Sequence, residues 1–170
     1  MRKTIVMWAA TVGLVAGLGA GVIARGLPAE PLPTFTVTSP AGDTVSSQQL
    51  STSSQWLLVY LDPVTASNRK LLGLLKAWQT PQLIARVVLV IDGKPADGKA
   101  WLEKELGDQP PPLAWFADAD GSAAKALAVS GTPTLFGVRD GQVEWKLAGV
   151  LNRPESLESI VRTWTDTVKD

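Results

Sequence analysis

Residues 131–148 constrain this chain more than any other stretch. Gly131-Thr132-Pro133 opens onto Thr134-Leu135-Phe136-Gly137-Val138, an apolar run that reads as a buried strand. Arg139-Asp140-Gly141-Gln142 follows at once, and Asp-Gly marks a tight hairpin turn. Val143 to Ala148 reads as the returning strand. Asn152-Arg153-Pro154 then starts a helix, with proline in the first turn, where its missing N–H costs nothing. Leu157, Ile160, Val161, Trp164 and Val168 form its apolar stripe. A hairpin and one helix cannot bury a two-faced strand alone, so the rest of the sheet has to come from upstream.

The upstream chain supplies it. Trp56 to Leu61 is an unbroken apolar run, the pattern of a strand covered on both faces. Asp62-Pro63-Val64-Thr65-Ala66-Ser67-Asn68 leads into a helix whose Leu71, Leu74, Leu75 and Trp78 fall on one face. Thr80-Pro81 ends it. Val87 to Ile91 reads as the next buried strand, Asp97 to Leu106 as a helix, and Leu113 to Phe116 as a short strand. Gly107 to Pro112 is a loop, and Asp118 to Ser122 is a turn before a brief helix over Ala123 to Leu127. Ahead of all these, Thr34 to Thr38 alternates as a strand, and Thr44-Val45 follows a Gly-containing turn. The expected fold class is α/β: a mixed sheet flanked by helices over residues 34–170.

The first 25 residues differ in kind. Arg2-Lys3 precedes 21 residues, Thr4 to Ala24, without a charge. A helix needs about 20 apolar residues to span a bilayer, whereas the apolar core of a cleaved signal peptide runs to about 7–15. Length therefore favours a single N-terminal transmembrane helix over residues 4–24, although Val22-Ile23-Ala24 resembles a cleavage site. The basic N-terminus places residues 1–3 in the cytoplasm and the domain outside, as in a single-pass inner-membrane protein facing the periplasm. Gly13, Gly17 and Gly21 line one face of the span and permit close helix packing, hence a homodimer; glycine is also common in membrane helices generally. Residues 26–33, rich in proline, read as a tether.

Composition excludes much. The chain has no cysteine and no histidine, and its two methionines are Met1 and Met7. The exported part therefore lacks the usual zinc, copper, haem and iron–sulfur ligands, and no metal or cofactor is expected. Cys–His and Ser–His–Asp catalysis are excluded with them. From Glu30 onward there are 13 Lys and Arg against 16 Asp and Glu, a net of −3, which is no footprint for nucleic acid.

Strand, loop, helix, then a Gly-Thr-Pro entry to a hairpin and a last helix resembles the thioredoxin-like superfamily, in particular the membrane-anchored exported thioredoxins of cytochrome maturation. The resemblance covers roughly residues 35–169 and is most specific at Asp62 to Leu75 and Val129 to Gly149. It puts Pro133 in the place of the family's cis-proline, preceded by Thr132. It also puts Thr65-Ala66-Ser67-Asn68 where the family carries Cys-x-x-Cys, so Thr65 and Asn68 stand at the two cysteine positions. In the family, the helix N-terminus there stabilises a thiolate. Thiol–disulfide exchange needs that thiolate, so the family's activity does not carry over and a non-enzymatic role is expected. Thr65 has a structural use available, as an N-cap accepting a backbone N–H from Ser67 or Asn68.

Other candidates are weaker. Asp118-Ala119-Asp120-Gly121 opens like a calcium loop, but position 12 is Val129 rather than glutamate. Ser67 and Lys70 have the spacing of a Ser–Lys dyad, beside Arg69 on an expected solvated helix start. The tryptophans fall mostly on strands and apolar helix faces and read as core.

The expected function is a redox-inactive binding or assembly module in a cell-envelope complex. It would hold a protein or peptide partner on an apolar, uncharged face made by Val64, Ala66, Thr132 and Pro133. The alternative is an accessory protein of a thiol-redox or cytochrome-maturation pathway, acting as the partner of an active oxidoreductase or as an unrecognised non-thiol enzyme. A third reading has the domain as a spacer on a membrane helix that makes the contacts.

Overall fold

The computed structural model describes residues 29–107, 112–149 and 154–166. The expected anchor, with Gly13, Gly17 and Gly21, lies outside the described residues, and no described helix is long and apolar enough to cross a membrane. Eight described strands form one sheet: β1 (Glu30–Pro31), β2 (Thr36–Thr38), β3 (Thr44–Ser46), β4 (Gln55–Leu61), β5 (Val87–Asp92), β6 (Ala114–Asp118), β7 (Thr134–Arg139) and β8 (Gln142–Ala148). Their order is β1-β8-β7-β4-β5-β6-β2-β3. The helices are α1 (Ala66–Ala77), α2 (Pro81–Arg86), α3 (Pro95–Leu106), α4 (Ser122–Ala126) and α5 (Pro154–Asp166).

β4 is the middle of the sheet and every one of its residues is buried. Its side chains alternate between two cores, as the period of two requires. Leu57, Val59 and Leu61 face the side covered by α1, α2, α3 and α5. Trp56, Leu58 and Tyr60 face the other, with Phe35, Val37, Leu50, Ala123, Leu127 and Phe136. Each fully buried leucine of this kind stabilises the fold by about 1.5–3 kcal/mol relative to exposure. β4 pairs parallel with β5 and antiparallel with β7, and β5 pairs parallel with β6. The carboxyl ends of β4, β5 and β6 and the entry to β7 therefore all lie at one edge.

The far end is locked by polar contacts. Gln55 donates to the Trp164 carbonyl, and Arg86 donates to the Thr165 carbonyl at 2.9 Å. Both satisfy C-terminal carbonyls of α5 that have no partner within the helix. Arg139 donates to Gln55 at 3.0 Å and lies 4.7 Å from the centre of the Trp164 ring. Trp145 meets Trp164 edge-on, with centroids 5.4 Å apart.

Two features depart from the sequence reading. Thr80-Pro81 not only ends α1 but starts α2, with the Thr80 hydroxyl capping Leu83 N–H at 3.2 Å. Glu30-Pro31, expected within the tether, pairs with Val143 and Gln142 and forms the edge strand β1. Four residues of proline-rich chain before Thr34 carry no period, so only the partner strand reveals the pairing.

Candidate functional site

Three strands end in aspartate at the shared edge. Asp62 follows β4, Asp92 ends β5 and Asp118 ends β6. Asp92 and Asp118 are directly paired in register, and Leu61, the residue before Asp62, pairs with Ile91. Carboxyl ends of parallel strands are where α/β sheets place their ligands.

Each carboxylate has a different use. Asp118 is 1% exposed. It accepts Ala123 N–H at 3.0 Å, Ala124 N–H at 2.9 Å and the Tyr60 hydroxyl at 2.8 Å. It therefore closes the N-terminus of α4, and burial together with this bond pushes the Tyr60 phenol well above its ordinary range. These partners occupy Asp118 as a structural clasp and leave the calcium-loop resemblance without its first ligand. Asp120 accepts Ser122 N–H at 3.0 Å, which holds its carboxyl below the usual range. Asp62 folds its own loop, accepting Val64 N–H and the Thr65 hydroxyl, both at 2.8 Å. Asp92 is exposed and is in none of the four ion pairs found among the described residues. Partial desolvation by its surroundings, and then the charges of Asp62 and Asp118, push its carboxyl up.

The loop before α1 corrects one expectation. Thr65 sits at the N-cap, but its hydroxyl donates to Asp62 instead of accepting a helix N–H. A charged acceptor three residues back makes a stronger bond than a backbone amide donor. The cap is backbone only, with Asn68 N–H reaching the Thr65 carbonyl at 3.1 Å. The same turn throws Val64 outward, 90% exposed and the one large apolar side chain so exposed among the described residues. Ala66 beside it is also exposed.

Asn68 is fully buried. Its Nδ2 donates to the Asp62 carbonyl at 2.7 Å and to the Thr132 hydroxyl at 3.0 Å. Its Oδ1 has no donor. Ser67 donates to the Thr132 carbonyl at 3.2 Å, so its hydroxyl serves the loop and forms no bond with the exposed Lys70. Thr132 is thus held by both residues of the first turn of α1. The Thr132–Pro133 peptide bond is cis, and Gly149 N–H bonds the Pro133 carbonyl at 2.7 Å.

The expected apolar face is corrected in two respects. Pro133 is buried, because the Gly149 bond and β7 draw it into the sheet, so only Val64, Ala66 and half-buried Thr132 reach the surface. The face is also charged. An open pocket of about 440 Å³ beside it is lined by Tyr60, Asp62, Thr65, Asp92, Val129 and Thr132, among others. The acidic row was missed, yet a signal existed: apolar runs end in aspartate at Leu61-Asp62, Ile91-Asp92 and Ala117-Asp118.

No protein-family model and no curated protein sequence matches the chain. Solved structures do. One from Chlorobium tepidum, described as a thiol:disulfide interchange protein DsbE, superposes with a TM-score of 0.64 at 22% identity, over 81% of this chain and 96% of that one. The thioredoxin domain of a thiol-disulfide oxidoreductase from Bacteroides vulgatus gives 0.61 at 17% identity, over 82% and 99%. A thiol:disulfide interchange protein from a Bacteroides species gives 0.60 at 16% identity, over 85% and 93%.

Proposed function

We propose that this chain, thioredoxin-like in fold and without the cysteine that thiol–disulfide exchange needs, is a membrane-anchored binding module. Residues 4–24 hold it in the inner membrane, and the face at the start of α1 docks an extended segment of a cell-envelope protein. The observation that carries this reading is Val64, an apolar side chain 90% exposed on a loop that four hydrogen bonds to Asp62 hold in place. An ordered loop that presents an exposed apolar side chain offers an anchor to an extended peptide. The pocket beside it is open rather than deep, and its best polar groups are spent on internal bonds, which favours binding over catalysis. An apolar pocket of about 350 Å³ between α3 and the sheet brings only Lys99 and Glu103 as charged groups.

Photo-crosslinking in native membranes tests the reading, with the reactive group at exposed Ala66 and a control at exposed Ser159 on α5. A discrete partner captured from Ala66 alone supports it. Equal capture at both sites, or none, refutes it and moves attention to the glycine face of residues 13–21. An active oxidoreductase as the captured protein would make this chain that enzyme's accessory.

A further inference from the structure

The docked segment has to match the charge of the site. Among the residues lining the 440 Å³ pocket there are two aspartates, Asp62 and Asp92, and no lysine or arginine. Asp118 adds a third negative charge, paired with Asp92 in register. The four ion pairs among the described residues lie elsewhere, at Arg69–Glu105, Lys99–Glu103, Arg139–Glu144 and Arg162–Glu158.

Hydrogen-bonding capacity points the same way. The carboxamide of Asn68 sits in the wall between Asp62 and Thr132, both of which line the pocket, and its Oδ1 is buried without a donor. The charged groups lining the site are therefore both acceptors, Asp62 and Asp92, and the buried Oδ1 of Asn68 behind them brings no donor to offset them. An anion would meet the repulsion of Asp62 and Asp92. A bare divalent ion needs several carboxylate oxygens at once; Asp118 has given its oxygens to Ala123, Ala124 and Tyr60, and Asp62 to its own loop. A group with its own N–H donors, on an apolar stem that can lie against Val64, fits what remains.

We propose that the pocket between Asp62, Asp92 and Thr132 receives a lysine or arginine side chain of the segment docked at Val64. This rests on the docking reading above and adds the partner's chemistry to it. The contact with Asp92 is partly screened, so the preference is one of selectivity on an already docked peptide.

The test uses the full chain and dye-labelled extended peptides read by fluorescence anisotropy. The peptides share an apolar sequence and differ at one position, lysine against norleucine, which has nearly the same stem without the charge. The lysine peptide should bind about fivefold tighter, the scale of one partly screened ion pair, and the difference should shrink at high salt. Asp92→Asn should remove the lysine preference while leaving norleucine binding as it was, and Glu158→Gln should change neither. Equal affinity for the two peptides in the unmodified chain, or no binding of either, overturns the proposal. Capture from Ala66 in membranes reads the docking face independently, so a failed charge preference with intact capture removes the pocket's role alone.

Discussion

The carboxamide of Asn68 donates to the hydroxyl of Thr132 at 3.0 Å, which ties the first turn of α1 to the loop that enters β7. Two residues 64 apart in sequence thereby hold the candidate site in one arrangement. Thr132→Val keeps the shape and removes the acceptor. It should lower stability by about 1 kcal/mol, the net value of one such bond. Urea unfolding measures it; an unchanged midpoint would mean the bond contributes nothing.

Gly137 is occupied from outside by Trp145. A Cβ at Gly137 would overlap the indole Nε1 and Cε2 of Trp145, which pairs with it across β7 and β8 and rests edge-on against Trp164. Gly137→Ala should cost at least about 2 kcal/mol through overpacking. Adding Trp145→Ala should restore part of that loss, a coupling that a double-mutant cycle in urea resolves.

Tyr60 is the single tyrosine, so phenolate absorbance reports it alone. Burial and its bond to Asp118 hold its phenol above the ordinary value of 10.0. The unfolded chain then loses its proton first as pH rises. Stability from this group is complete below that value and declines above it. A native-state titration should show no phenolate until the protein unfolds in alkali. An early phenolate signal with intact circular dichroism would contradict the Tyr60–Asp118 bond.

Asp92 carries the opposite lesson at acid pH. Its carboxyl is raised by partial desolvation and by the charges of Asp62 and Asp118. Folding is therefore penalised once pH rises past the ordinary carboxylate range, and the penalty is absent below it. Asp92→Asn should raise the melting temperature at neutral pH and change it little in strong acid. A destabilised variant at neutral pH would show that Asp92 has a partner holding its charge.

The elements that local pattern could announce were legible. Trp56–Leu61 and Thr134–Val138 read as buried strands because their apolar runs are unbroken, and the hairpin read from Asp140-Gly141, both residues now seen with positive φ. α2 was not legible, because six residues are too few to show a helical period. The site was half legible. Its position followed from Asp62 to Asn68 and Thr132-Pro133. The donation of the Thr65 hydroxyl to Asp62, the burial of Pro133 and the orphaned Oδ1 of Asn68 depend on partners brought in by the fold. A residue-by-residue reading has no access to those.

The stitching of Glu30-Pro31 onto β8 shortens a leash. With residues 4–24 in a bilayer, as proposed, only Arg25 to Ala29 separate the membrane from the sheet, and five residues reach at most about 17 Å. The domain then sweeps a shell scarcely deeper than its own radius. Partners sharing the membrane are confined to that shell, so their effective concentration at the site is set by how crowded the membrane plane is.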